Sequence, residues 1–128
     1  MTPGAPNRTM SRLRSALAVL LLMAGPAAAQ DTLRASAAML RGLDKVSGRI
    51  TDLPIQVGSA VRYGRLDIRL GECRYPAGDP SSDAFAQLTI TDLRQNVTAF
   101  SGWMIASSPA LSALDDARYD VWVMSCTP

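Results

Sequence analysis

The chain has 128 residues, with 13 lysines and arginines against 11 aspartates and glutamates, a formal net charge of +2. That length allows one small domain and excludes a Rossmann or barrel enzyme of ordinary size. Histidine is absent, so Ser-His and Cys-His catalytic pairs and histidine metal sites are excluded.

Residues 1–29 have the plan of a secretory signal peptide. Arg8, Arg12 and Arg14 make a basic start without acids, and residues 16–24 form an apolar run. Gly25 and Pro26 then break any helix, and Ala27 and Ala29 are the small residues before a cut that leaves Gln30 first. The apolar run falls short of the roughly 20 residues that span a bilayer. The sequence therefore predicts export to the periplasm through a cleaved signal, with no transmembrane anchor afterwards. Cleavage removes three basic residues and no acidic ones, leaving a net charge of −1. The remaining charges are interspersed along the chain, which argues against a nucleic-acid partner.

Residues 30–37 are polar and small and are expected to form a flexible N-terminal tail. Residues 38–128 read as a single β domain, with short strand-like segments separated by turn residues. Residues 39–43 and 46–55 are candidate strands, and Pro54 forces the second towards an edge or a bend. Gly58 marks a turn, and Val61 and Tyr63 begin the next strand. Leu66, Ile68 and Leu70 alternate with Arg65, Asp67 and Arg69, a one-sided apolar face of period two. Gly71 interrupts that run and predicts a bulge, because Cys73 is out of phase with the leucines.

Residues 75–83 are a loop by composition, 85–91 an alternating strand, and 92–96 a turn. Segments 97–105 and 119–126 are apolar on both faces and predict central strands. The first sets Trp103 with Val97, Ala99 and Ile105 on one side, and Phe100 and Met104 on the other. Between them, Ser108 as N-cap and Pro109 at the first helical position predict a short helical turn. The expected fold is all-β: a compact antiparallel β-sandwich or barrel of about seven or eight strands, with that turn before the last strand.

Cys73 and Cys126 are the only cysteines. An even count in an exported small domain predicts one disulfide. Closing a loop of that size stabilises by roughly 4 kcal/mol in the chain-entropy account. The pair is not a CxxC motif and cannot complete a tetrahedral zinc site alone.

The segments LRGLDKVSGRITDLPIQVGSAVRYGRLDIRLGECRY (40–75) and FSGWMIASSPALSALDDARYDVWVMSC (100–126) resemble the exported bacterial family catalogued as domain of unknown function 2155. The resemblance runs from Met39 to Cys126. The loop 75–83 and the turn 92–96 are shorter than that pattern, and DDAR (115–118) departs from it. The resemblance implies a cell-envelope protein and supplies no catalytic residues.

Scattered carboxylates such as Asp44, Asp52, Asp67, Asp79, Asp83 and Asp92 read as solvated turn and strand positions rather than a glycosidase pair. Asp115, Asp116 and Asp120 match no calcium loop and read as a solvated turn with one acid paired to Arg118. Lys45 and Ser47, two apart on a strand, form a conceivable nucleophilic pair without the burial it requires. Trp103, Trp122, Tyr119 and Phe100 read first as core, with an exposed aromatic platform as the alternative. A recognition surface, if present, belongs at Trp103, Ser107, Ser108, Pro109 and Tyr119. No catalytic residue, metal or cofactor is predicted. The expected role is a non-enzymatic periplasmic binding or assembly module, its partner an envelope protein or cell-wall component. A secreted inhibitor of an envelope-degrading enzyme and a carboxylate-based hydrolase are the alternatives.

Overall fold

Period-two alternation builds the strands. In the computed structural model, which describes residues 31–128, Leu66, Ile68 and Leu70 are all fully buried and their intervening neighbours are not. Eight strands follow in order: β1 Thr32–Arg34, β2 Ala37–Asp44, β3 Ile50–Gln56, β4 Ala60–Tyr63, β5 Leu66–Pro76, β6 Phe85–Asp92, β7 Val97–Ile105 and β8 Tyr119–Thr127. A single 3-10 turn, Pro109–Leu111, precedes the last strand. The predicted signal segment and Gln30 lie outside the described residues.

All pairings are antiparallel. One sheet runs β5-β6-β7, with β1 and β4 pairing different stretches of the outer edge of β5; the other runs β3-β2-β8. The inner faces share one core that includes Leu40 and Leu53 from the smaller sheet and Ile68, Leu88 and Met104 from the larger. This is a β-sandwich. The β3–β4 connection closes one side through main-chain bonds from Gly58 to Leu70 and from Leu70 to Ser59. At the other side β7 and β8 have no strand partner beyond β6 and β2 among the described residues.

Two local expectations hold in detail. The register slips between Leu70 and Glu72, so Gly71 is the bulge that returns Cys73 to the inner face. Pro54 lies on β3, an edge strand, opposite Met39.

Others are corrected. The expected flexible tail forms β1, pairing Thr32, Leu33 and Arg34 with Pro76, Tyr75 and Arg74. Ala35 behind it is buried. Main-chain pairing and one small buried residue order the segment, and neither leaves a side-chain pattern. The strand predicted from residue 46 begins at Ile50, because Asp44 accepts bonds from the Val46 and Ser47 amides and holds a turn. Tyr75 and Pro76, assigned to a loop, complete β5. β7 and β8 are edge strands rather than central ones. Their inner faces supply core through Met104, Val121 and Val123, while their outer faces keep large apolar side chains at the surface.

Candidate functional site

The paired cysteines sit where the two sheets meet beside β1. Cys73 on β5 and Cys126 on β8 lie at disulfide distance, with Cα atoms 5.8 Å apart. Both are buried, so the pair acts as a tie between the sheets.

The opposite end of β8 is held by charge. Tyr119, predicted as part of a recognition surface, is instead buried, at 8% exposure. Its ring lies between the guanidinium groups of Arg65 and Arg118, each 5.2 Å from the ring centre. Tyr63 meets it edge to face at 5.1 Å. Glycine makes the room: a Cβ at Gly64, whose φ is +57°, would overlap the Tyr119 ring, and one at Gly42 would come 2.6 Å from Tyr63.

Arg65 joins the acids around this ring. It bonds Asp92 at 3.2 Å and also Asp116. Asp116 accepts the Arg118 and Tyr119 amides as well, and Lys45 donates to its carbonyl. Burial works against the Asp116 charge, yet these donors hold its pKa below the ordinary value. Asp92 behaves the same way: burial raises its pKa, and the Arg94 amide and Arg65 outweigh it. The Arg118 side chain pairs with Asp44 at 3.0 Å, not with the 115–120 acids as expected. That hydrogen bond is the main cause of an Asp44 pKa lowered to about 2.

Within the 115–120 acids, Asp116 is thus locked into the fold, while Asp115 is exposed. Among the described residues no group of three or more histidines, cysteines or acids is arranged to hold a metal. Lys45 and Ser47 occupy the β2–β3 turn rather than one strand face. Lys45 is spent on Asp116, and the Ser47 hydroxyl accepts the Arg49 amide.

The remaining predicted residues gather at the open side of the sandwich. Trp103 on β7 pairs with Gln87 on the outer face and is 38% exposed, against the core expectation. Its neighbours Gly102 and Met104 turn inward, so alternation leaves the indole at the surface. After β7 the chain turns back against the β5–β6 loop. Asp83 accepts the Ser107 hydroxyl at 2.7 Å and the Ser107 amide at 3.0 Å. Burial opposes the Asp83 charge, but these bonds keep its pKa low. Ser108 occupies the N-cap position without a side-chain cap bond, and Pro109 opens the 3-10 turn. Leu111 at the tip is 77% exposed.

Behind the tip, Pro109, Ala110 and Ala113 form one wall of an open-sided pocket of about 360 Å³. Asp120, Val121 and Trp122 of β8 form the other. Trp122 is half-buried, and its indole N–H donates to Met124 Sδ at 3.1 Å. The predicted recognition residues therefore separate. Trp103, Ser107, Ser108 and Pro109 share the open side, and Tyr119 belongs to the ionic end.

The sequence reading missed Arg65 and the Trp122 pocket. Nothing in the pattern distinguishes Arg65 from Arg62 or Arg69. Trp122 next to Asp120 at strand spacing was the available signal for the pocket.

An all-β antiparallel sandwich with a buried cysteine tie and a partly exposed aromatic edge is the class these features define. The chain belongs to the bacterial family described as "Uncharacterized protein conserved in bacteria (DUF2155)", whose model matches residues 38–126. It is also similar to the uncharacterized protein RP359 of Rickettsia prowazekii (strain Madrid E), at 24% identity over 87 residues. That match covers 66% of this chain and 56% of the relative, so the chain spans little more than half of that protein's length. No solved structure matches. Among the described residues, no helix is long and apolar enough to cross a membrane.

Proposed function

We propose that the protein is a non-enzymatic periplasmic binding or assembly module of the cell envelope. On this reading its partner is an envelope protein or cell-wall component. The carrying observation is the open side of the sandwich, where Trp103, Leu111 and the Trp122 pocket expose apolar surface beside two unpaired strand edges. Exposed aromatic and apolar side chains with unsatisfied strand edges are the equipment of protein recognition rather than of catalysis. The cysteine tie agrees with an oxidising compartment.

The chemistry of the charged end supports the same reading. Asp44, Asp92 and Asp116 are committed to arginines and main-chain amides. The pocket wall holds one carboxylate, Asp120, where a glycosidase needs two. One observation favours the inhibitor reading as second choice: Leu111 projects from a loop that Asp83 pins at Ser107, the form of a rigid inserting tip.

Photo-crosslinking from Ser108 in the native compartment tests the proposal. The expected result is a discrete envelope adduct that disappears with Trp103→Ala or Pro109→Ala. A discrete adduct with a lytic enzyme selects the inhibitor reading. No adduct at all, with the protein folded and processed, contradicts both.

A further inference from the structure

The pocket beside β8 combines three features that fit one kind of occupant. The first is an unpartnered charge. Asp120 makes no ion pair and no side-chain hydrogen bond among the described residues, although it lies in a recess with apolar walls. The neighbouring cations are engaged elsewhere. Arg41, opposite Trp122 in the β2–β8 register, reaches Asp52 at 2.8 Å. Arg118 is turned to Asp44, and Lys45 to Asp116. A carboxylate in such a recess calls for a cation from outside.

The second feature is the indole. Asp120 and Trp122 are two apart on one strand, so both side chains stand on the same face of β8. An aromatic face next to a carboxylate suits a cation with an aliphatic stem: the stem packs on the ring and the charge is shared between ring and carboxylate.

The third feature is main chain. Val121 lines the pocket, yet its side chain is 1% exposed and points into the core. What it offers the pocket is therefore backbone. The ladder agrees. Lys45 donates its amide to the Arg118 carbonyl, opposite it in register, so residues 118, 120 and 122 face β2. Antiparallel alternation then directs the Val121 N–H and C=O to the free side of β8. No main-chain hydrogen bond joins the 106–118 segment to that edge. A volume of about 360 Å³ is at the low end for a ligand site and suits one long side chain.

We propose that this groove binds an extended polypeptide segment by strand addition. The segment's main chain bonds the free edge of β8 at Val121, and one of its lysine or arginine side chains lies along Trp122 and ends at Asp120. The inference rests on the binding-module reading and names its partner by chemistry: a basic residue within an extended chain. Edge addition supplies affinity through the backbone, and the Asp120–Trp122 pair selects the side chain.

The test uses the processed protein with both tryptophans in place, and binding is read by titration calorimetry. The probe is the capped peptide acetyl-Ala-Val-Lys-Val-Ala-amide. The expected result is saturable binding that weakens about tenfold or more when norleucine replaces the lysine, and equally with Asp120→Asn. Ala113→Leu, which narrows the groove without touching charge, should cause a similar loss at unchanged melting temperature.

Equal binding of the norleucine peptide, or no effect of Asp120→Asn, overturns the cation site. Equal binding of acetyl-lysine-amide overturns strand addition, because a free cation is then sufficient. Failure of every probe, while Ser108 still captures a discrete envelope partner, overturns this inference and leaves the binding-module reading in place.

Discussion

Around Tyr119, carboxylates meet guanidiniums, two arginines cover one ring and a lysine caps a carbonyl. Around Leu111, a few residues earlier, the side-chain hydrogen bonds of residues 106–114 reduce to the Asp83 clasp on Ser107, and Leu111 faces outward. Both regions drew attention in the sequence, and they differ in what their chemistry is committed to. The charged groups at Tyr119 satisfy one another and lock the ends of β2, β5, β6 and β8 together. The aromatic and aliphatic groups near Leu111 have no internal partner of comparable kind. The titratable constellation around Tyr119 is structural, and the surface proposed for binding is the apolar one, with Asp120 at its pocket.

The sharpest way to break this contrast is to remove its buried side. Tyr119→Ala should cost about 3–5 kcal/mol, the range for deleting a buried aromatic ring, as read by urea denaturation. Replacing both cysteines by alanine should cost roughly 4 kcal/mol by the same measurement and leave the ionic end intact. The sheets would then be tied at one end only.

Acid should weaken the ionic end in a defined direction. The folded-state pKa values of Asp44, Asp92 and Asp116 at this end are lowered, as are those of Asp52 beside Arg41 and Asp83 beside Ser107. Their contribution is complete above the ordinary carboxylate pKa near 4. It is lost as pH falls through the folded values, which for Asp44 means down to about 2. Melting temperature followed from pH 5 to pH 2 should therefore drop. Arg65→Met should lower the melting temperature near pH 7 and shrink the drop between pH 5 and pH 2, because the folded-state pKa values of Asp92 and Asp116 then lie closer to the unfolded one.

The smallest stability effects belong to the open side. Leu111→Ala, at 77% exposure, should change stability by less than about 1 kcal/mol, and Trp103→Ala, at 38% exposure, by about 1–3 kcal/mol, less than Tyr119→Ala. A loss at Trp103 equal to that of Tyr119→Ala would return the residue to the core.

Much of the fold was legible. The alternation of Leu66, Ile68 and Leu70, the phase break at Gly71 and the edge placement of Pro54 are written in single residues with local physical meaning. The helical turn before β8 was legible from Ser108 and Pro109, although Ser108 makes no cap bond. What failed depends on contacts between distant segments. β1 is ordered by pairing with the end of β5, which no side-chain pattern in residues 32–34 announces. A strand apolar on both faces reads as central, yet β7 spends one face on exposure. The ionic end joins residues 44, 65, 92, 116 and 118, whose spacing has no period. Of the candidate site, the stretch from Trp103 to Pro109 was legible because aromatic, glycine, serine and proline cluster there. Tyr119 was misplaced because one covering partner, Arg65, comes from the distant β4–β5 turn.

One comparison tests the central claim most directly. Leu111 and Val46 are matched in exposure, at 77% and 76%, and stand on the open side and in the turn beside the ionic end, respectively. The same photo-reactive residue placed at each position, in the native compartment, separates accessibility from recognition. The account predicts a discrete partner adduct from position 111 and only background from position 46. Equal adducts from both, or a discrete one from position 46 alone, would contradict it.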